Sequence, residues 1–335
     1  MPNIPSEYLD CVVYIFPDEA SARAGENLGG TGFIVGVPMV GYEKVPVHHG
    51  YVVTNKHIIQ GHPAPAIRLN QLTGHWDVLP TRHEPLQDEW LVHDDGDDVA
   101  VCMVGVSEER HRITAITTAY FITEQMVDDE WFGLGDEVFM VSRFSSLAAE
   151  ETRDVRNTPL LRFGNIAAPG RIRLQRRAEP PQESFLVEAR SLSGHSGSPV
   201  FAWKDPYRPA NRRGETVIGD WHTNIGLLGI DWCHLAPREP LRDNQNPEIK
   251  SDEWHVKANS GMMGVVPAWR IVEVLMTDDA KEQQKLERED WERTHGPPGE
   301  AQPDTLPANN ALTRAGFYEG LRRIKKQSKE LSRSD

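Results

Sequence analysis

Short apolar runs interrupted by turn residues dominate the chain from Cys11 to Pro267. Gly, Pro, Asn or Asp separates each run from the next, and the runs are four to eight residues long. This spacing predicts many short β-strands in a sandwich or barrel, rather than strands that alternate with helices. The predicted strands are CVVYIF, GTGFIVGV, YVVTN, DVAVCMV, DEVFMV, RIRLQ, SFLVEA, SPVFAW, NIGLLGID and MMGVVP.

A helical pattern begins only near Trp269. The segment AWRIVEVL has apolar residues at Trp269, Val272 and Leu275, which is the spacing of a helix that packs on a barrel. The mixed-charge run from Thr277 to His295 predicts a solvated helix, and the Pro-rich run from His295 to Asn310 predicts a linker.

The last segment has an amphipathic, basic pattern. Phe317, Leu321, Ile324 and Leu331 fall on one helical stripe, and most of the Lys and Arg residues fall elsewhere. One hypothesis is a terminal helix that packs on its own domain or frays. The other is a helix that binds a regulatory partner or a membrane surface.

Composition and charge restrict the class of protein. The 335 residues are 39% apolar and 26% charged, as in ordinary globular proteins, and no apolar run is long enough to span a membrane. The net charge of −14 argues against nucleic acid as the partner, because phosphate binding needs a basic surface.

Cysteine usage and the N-terminus bear on the compartment. Cys11, Cys102 and Cys233 are few and far apart, and no secretory signal is visible, so we expect reduced thiols in the cytoplasm. There is no C-x-x-C pair, and we expect neither a metal site nor a cofactor.

The segment SLSGHSGSPVF, from Ser191 to Phe201, allows two interpretations. Its small polar residues suit any tight turn between strands. One of its serines could instead be a nucleophile, which requires a base and a group that orients the base.

Both groups can be found upstream. YVVTNKHII places His57 at the end of an apolar strand, after the glycine-rich GGTGFIVG. In DDGDDVAVCMV, Asp98 directly precedes the strand that begins at Val99, so its side chain is predicted to point inward. The remaining acids of that loop are predicted to be solvated: Asp94, Asp95 and Asp97.

His57, Asp98 and Ser196 stand in the order His, Asp, Ser. With this order, the stretches GTGFIVG, TNKH, DDVAV and GHSGSP resemble the trypsin-like serine peptidases of the chymotrypsin fold. The resemblance is nearest to bacterial HtrA-like protease domains, although no PDZ-like module follows. It extends from Cys11 to about Leu275.

The resemblance implies an all-β fold of two six-stranded antiparallel β-barrels, with a C-terminal helix and a charged helical tail. The expected parts are an N-terminal barrel (residues 8–125), a second barrel with its packing helix (126–276) and a charged, Pro-interrupted tail (277–335).

Acyl-transfer chemistry gives each residue a role. His57 would take the proton of the Ser196 hydroxyl, and Asp98 would hold the imidazole in the correct tautomer. The backbone N–H groups of Gly194 and Ser196 would bind the oxyanion of the tetrahedral intermediate. Gly194 is expected because the tight loop needs dihedrals that a side chain resists.

The resemblance also implies a pocket for the side chain that precedes the scissile bond. Arg190 could point into this pocket and attract an acidic residue, or pair outward with Glu188 and leave the pocket apolar. The expected lining residues are Arg190, Ser191, Leu192, Asp231, Trp232, Cys233 and the segment Gly261–Met263.

His195 departs from the family pattern. Secreted relatives carry an acid there, which pairs with an N-terminal amine freed by cleavage, so we expect activity without trimming. The long segment Ala236 to Ser260 also differs from the family, so its specificity rules do not transfer.

These patterns together predict an intracellular serine endopeptidase that cleaves a restricted set of protein substrates. Two alternatives stay open at this point. One is a protease-fold protein that binds peptides or partners without cleaving them, and the other is an esterase that uses the same three residues.

Overall fold

The computed structural model describes most of the chain between residues 4 and 296. The residues outside the description are 1–3, 41, 43–46, 63, 82–89, 108, 144–156, 176–180, 190, 192–193, 205–224, 236–237, 243–249, 258 and 297–335. Two predicted pocket residues, Arg190 and Leu192, therefore lie outside the described residues, as does the amphipathic segment with Phe317.

Strands make up most of the regular structure. In chain order the strands are β1 (Val12–Phe16), β2 (Gly30–Pro38), β3 (His48–Thr54), β4 (Ala66–Asn70), β5 (Trp76–Pro80), β6 (Leu91–Val92), β7 (Ala100–Met103), β8 (Ile116–Thr117), β9 (Glu137–Arg143), β10 (Pro159–Leu174), β11 (Gln182–Glu188), β12 (Pro199–Trp203), β13 (Ile225–Leu235), β14 (Arg238–Arg242), β15 (Lys250–Lys257) and β16 (Met262–Pro267).

The helices before residue 268 are short, and two longer ones follow. The α-helices are α1 (Glu19–Ala24), α2 (Lys56–Ile59), α3 (Glu124–Asp128), α4 (Ala268–Leu275) and α5 (Asp278–His295), and 3-10 turns occur at Ser6–Cys11 and Thr118–Tyr120. The predicted helix AWRIVEVL is α4, and the predicted charged helix is α5.

The N-terminal sheet has the strand order β5-β4-β1-β2-β3-β7-β6, and β8 pairs in parallel with β2. Both faces of its central strands are covered. Tyr14 and Phe16 of β1 pack in one apolar cluster, whereas Val13 and Ile15 pack in another. A strand with two buried faces needs apolar residues throughout, which is why the sequence shows unbroken runs there rather than alternation.

The second half is a closed barrel of six antiparallel strands, in the order β10-β11-β16-β13-β12-β9. The predicted all-β class is confirmed, and the arrangement is consistent with a chymotrypsin-like double-barrel fold. The six predicted strands hold for this barrel, whereas the N-terminal sheet has eight. Of the additional strands, β6 and β8 have two residues each, and a charged residue interrupts β4 and β5, so their sequences give little strand signal.

Residues near both ends of the described chain contact the opposite half of the molecule. Tyr8, which precedes β1, packs edge-on against Phe139 and Phe201 of the second barrel. At the other end, Glu287 of α5 accepts a hydrogen bond of 2.6 Å from Nδ1 of His49 on β3. Helix α5 is therefore not fully solvated, as its charge had suggested, because one face contacts the N-terminal sheet.

Two general features of the described residues bear on broad function. In this part of the chain no helix is both long and apolar enough to cross a membrane. The same residues contain no group of three or more His, Cys, Asp or Glu side chains placed to hold a metal ion.

Candidate active site

His57 and Asp98 lie together at the ends of two paired strands. Strand β3 ends beside the start of β7, with Thr54 opposite Ala100, and α2 begins directly after β3. The Asp98 carboxylate accepts two hydrogen bonds from His57, one from the backbone N–H at 2.9 Å and one from Nδ1 at 2.6 Å. This contact fixes the ring orientation and leaves Nε2 as the nitrogen that can accept a proton.

Both halves of the molecule hold the backbone of Asp98. Asn55 Nδ2 donates to the Asp98 carbonyl at 2.9 Å, and the Asp98 N–H donates to Gln182 Oε1 of β11 at 2.7 Å. Gln182 is buried, so the carboxylate has a fixed backbone position relative to the second barrel.

Asp97 corrects one prediction, because it is not part of a solvated loop. Its carboxylate forms an ion pair of 3.0 Å with Arg270 of α4, and its side chain is 14% exposed. Burial raises the pKa of Asp97, partly offset by Arg270. Arg270 also contacts Glu183 at 2.5 Å and Glu273 at 2.8 Å, so α4 holds the loop that carries Asp98.

The segment that carries Ser196 is a tight loop with two glycines in the left-handed region. Gly194 has φ of +88° and Gly197 has φ of +87°. A Cβ on Gly197 would lie 1.8 Å from the Thr31 carbonyl oxygen, so only glycine fits against β2 at this point.

Hydrogen bonds to both halves hold this loop. The Thr31 N–H donates to the Ser196 carbonyl at 3.0 Å, and Thr31 Oγ1 donates to the Gly194 carbonyl at 3.2 Å. On the other side, the Gly197 N–H donates to the Asp231 carbonyl at 2.8 Å. The loop is thus fixed between β2 of the sheet and β13 of the barrel.

The amides of Gly194 and Ser196 were predicted to bind an oxyanion. Among the hydrogen bonds of the described residues, neither N–H group has an acceptor. Two amides without acceptors, on alternate residues of a tight loop, are the arrangement that an anion-binding concavity requires.

Ser196 does not contact the imidazole in this structure. Its hydroxyl lies 3.5 Å from the Trp232 carbonyl of β13, and within the described residues no hydrogen bond joins it to His57. A rotation of the Ser196 side chain would be needed to bring the two together. Such contacts are often loose in enzymes without bound substrate.

The described pocket residues differ in orientation. The Trp232 indole is buried and donates to Ser184 Oγ at 2.9 Å, so this residue presents its backbone carbonyl to Ser196. Cys233 is also buried. Ser191 Oγ donates to the Asp231 carboxylate at 2.7 Å, and Ser191 accepts at its carbonyl from Asn259.

Asp231 is an acid in an apolar setting. It is 1% exposed, and its Oδ1 atom is buried without a hydrogen-bond partner. Burial raises the pKa of Asp231 to about 7, although the Ser191 hydroxyl and nearby His57 oppose the shift. Near physiological pH the Asp231 carboxyl would therefore be neutral in about half of the molecules.

His195 has the opposite environment. The side chain is fully buried, and burial lowers its pKa to about 4, with further lowering by Arg162, Arg143 and His234. The imidazole is therefore neutral at physiological pH. At the position where secreted relatives carry an acid, this chain has a neutral imidazole on which Arg162 and Arg143 act.

Sequence reasoning missed four residues that contact the site: Thr31, Arg143, Gln182 and Arg270. Thr31 lies within the quoted stretch GTGFIVG, so that motif could have identified it. The other three are far from the motifs in sequence and carry no local signal, because only the packing of separate strands brings them to the loops.

Comparisons with known proteins give a limited result. No family model and no curated protein matches the chain. The crystal structure of the MamO protease domain from Magnetospirillum magneticum (apo form) is similar at 17% identity, with a TM-score of 0.46, over 81% of this chain and 99% of that one. The crystal structure of Deg5 is similar at 16% identity, with a TM-score of 0.38, over 68% and 81%. Both TM-scores are below 0.5, so the assignment of function rests on the site itself.

Proposed function

We propose that the chain is a serine endopeptidase that cleaves a restricted set of protein substrates, with Ser196 as nucleophile, His57 as base and Asp98 as the orienting acid. The observation that carries the proposal is the two-point contact between His57 and Asp98. A carboxylate on Nδ1 leaves Nε2 as a proton acceptor, which is what an adjacent hydroxyl needs in order to attack a carbonyl.

The chemistry follows in two steps. Ser196 Oγ bonds to the carbonyl carbon while its proton moves to Nε2 of His57, and the Gly194 and Ser196 amides stabilise the oxyanion. The imidazolium then gives that proton to the leaving amine as the C–N bond breaks. Water hydrolyses the acyl-enzyme by the same route, and Ser196 regains its proton.

The reducing compartment is a further part of the proposal. The three cysteines are buried thiols in the described structure. Since the fold is complete without disulfides at these positions, a cytoplasmic site of action is chemically suitable.

The test is covalent labelling. Purified protein should react with a fluorophosphonate at one site, identified as Ser196 by intact mass and peptide mapping, and Ser196→Ala should not react. Ser198→Ala is the matched control, because Ser198 lies in the same loop and is buried. Labelling that survives Ser196→Ala would assign the nucleophile elsewhere.

A non-catalytic peptide-binding protein is the second candidate. The observation that favours it is the orientation of the Ser196 hydroxyl towards the Trp232 carbonyl instead of His57. Under this alternative, folded protein would bind peptides but would not label at Ser196 at any pH between 6 and 9. An esterase would label, and parallel ester and peptide substrates would separate it from a peptidase.

A further inference from the structure

An arginine packs directly against the loop that carries Ser196. A Cβ placed on Gly194 would lie 1.9 Å from Nη2 of Arg143, 2.6 Å from Cζ and 2.7 Å from Nε. Three atoms of the guanidinium therefore fill the space that a side chain on Gly194 would need. The positive charge lies next to one of the two amides assigned above to the oxyanion.

Among the described residues, Arg143 has no carboxylate partner of the kind that Arg171 and Arg270 have. Its Nε is buried without a hydrogen-bond partner, and no carboxylate in the described part of the chain forms an ion pair with it. By contrast, Arg270 contacts three carboxylates, and Arg171 contacts Glu124 and Asp128.

A second arginine, Arg162, acts on the same loop as Arg143. Arg143, Arg162 and His234 all act on the neighbouring His195 in the same direction, against its protonation. A half-buried guanidinium close to a second arginine is unfavourable unless an anion neutralises it. Within the described residues no carboxylate pairs with Arg143, which leaves its guanidinium available to an anionic ligand.

The strand order gives the side of the loop on which this ligand would lie. Strand β12 follows the Ser196 loop and lies between β13 and β9. β13 provides the Trp232 carbonyl on one side of Ser196. β9 runs antiparallel to β12, with Met140 opposite Val200, so its end at Arg143 reaches the loop from the other side.

We infer that Arg143 binds a carboxylate of the substrate on the leaving-group side of the scissile bond. This inference rests on the proposed function, with residues that precede the bond placed along β13. A planar guanidinium matches a carboxylate through two parallel hydrogen bonds, which makes a carboxylate the fitting anion for a peptide substrate. The carboxylate could belong to an Asp or Glu side chain or to the C-terminus of a short peptide.

The experiment compares matched peptides in wild type and Arg143→Gln. The peptides share one sequence before the cleaved bond and carry Asp, Asn or Lys at each of the first two positions after it, with a C-terminal acid or amide. Wild type should prefer the acidic over the neutral peptide by about 10- to 100-fold in kcat/KM, as a charge-assisted hydrogen bond allows. In Arg143→Gln this ratio should fall to near one, and Arg143→Lys should keep part of it.

The controls separate the outcomes. Arg171→Gln removes an exposed arginine of β10 and should leave the ratio unchanged. A preference only for peptides with a C-terminal acid would identify the chain terminus as the source of the carboxylate. Equal loss on acidic and neutral peptides in Arg143→Gln, or a wild-type ratio near one, would overturn the inference.

Binding gives a readout that needs no cleavage. Fluorescence anisotropy of the same peptides with Ser196→Ala, alone and combined with Arg143→Gln, should show the acidic preference in Kd and its loss in the double variant. If Ser196 does not label but this preference is present, the proposed peptidase fails and the carboxylate site stands. If Ser196 labels and neither kcat/KM nor Kd shows the preference for acidic peptides, the proposed peptidase stands and the carboxylate site is wrong.

Discussion

The two halves of the molecule treat charge at the site differently. On the N-terminal sheet, His57 and Asp98 pair with each other, and Asp97 pairs with Arg270. On the second barrel, the Asp231 carboxylate accepts a hydrogen bond from Ser191 but forms no ion pair with a described residue, and neither does Arg143. His195 is buried close to Arg143 and Arg162. In the proposed mechanism, the sheet therefore provides the paired base and acid. The barrel provides Asp231, whose charge depends on protonation, and Arg143, which we infer to bind an anionic substrate group.

The largest effect should come from breaking the paired half. Asp98→Asn should lower the rate of Ser196 labelling and of peptide cleavage by about 10⁴-fold, because an amide at this position favours the wrong tautomer of His57. Asp97→Asn is the matched control. It removes one of three carboxylates around Arg270 and should lower either rate by less than about 10-fold.

Labelling kinetics at saturating reagent would measure both variants. Equal loss in the two variants would contradict the assignment of Asp98 as the orienting acid. It would also mean that the Arg270 cluster controls the site.

Asp231→Asn tests the buried acid of the second half. The pKa of Asp231 is raised on folding, so the native state binds more protons and the stability of wild type falls as pH rises from about 4 to about 7. Asn cannot ionise, so the stability of the variant relative to wild type should rise by as much as about 4 kcal/mol between pH 4 and pH 7.

Urea unfolding of both proteins at pH 5 and pH 8 would measure this difference. A difference in unfolding free energy that does not grow with pH would show that Asp231 is ionised and compensated in the folded protein.

His195→Gln tests a pH dependence of stability that is opposite to that of Asp231, in the same half of the molecule. The pKa of His195 is lowered on folding, so the unfolded chain binds more protons between about pH 4 and pH 6.5, and wild type loses stability as pH falls through this window. The loss should be about 3 kcal/mol and should be absent from the variant. Unfolding at pH 4.5 and pH 7 would test it, with His75→Gln, in an exposed turn, as control.

The smallest expected effect is the difference in stability between Gly197→Ala and Gly74→Ala. This pair distinguishes the cost of disturbing the contact between the halves from the cost of a left-handed backbone. Both glycines have φ near +88°, but a Cβ on Gly74 meets nothing within 4 Å, whereas one on Gly197 meets the Thr31 carbonyl. Gly74→Ala should cost about 1 kcal/mol for the left-handed backbone, and Gly197→Ala about 2 kcal/mol more. Equal thermal shifts would mean that the junction relaxes freely.

Much of the fold followed from local patterns. Each predicted strand coincides with an observed one. For strands covered on both faces, such as β1, a continuous apolar run is a sufficient signal. The strands that were missed, such as β4 and β5, contain Arg68 or Asp77 and lack that pattern. The three candidate residues His57, Asp98 and Ser196 could also be identified from the sequence, because each follows or precedes a predicted strand at a turn.

What the sequence determined by itself was therefore local: the strand runs, the helix at Ala268, the glycines of the Ser196 loop and the three candidate residues. Only the tertiary structure decided that Arg143 meets Gly194, that Arg270 holds Asp97, and that Asp231 and His195 are buried. These contacts join residues that are distant along the chain, and burial changes the energy of a charge according to its neighbours in space. No local pattern records those neighbours.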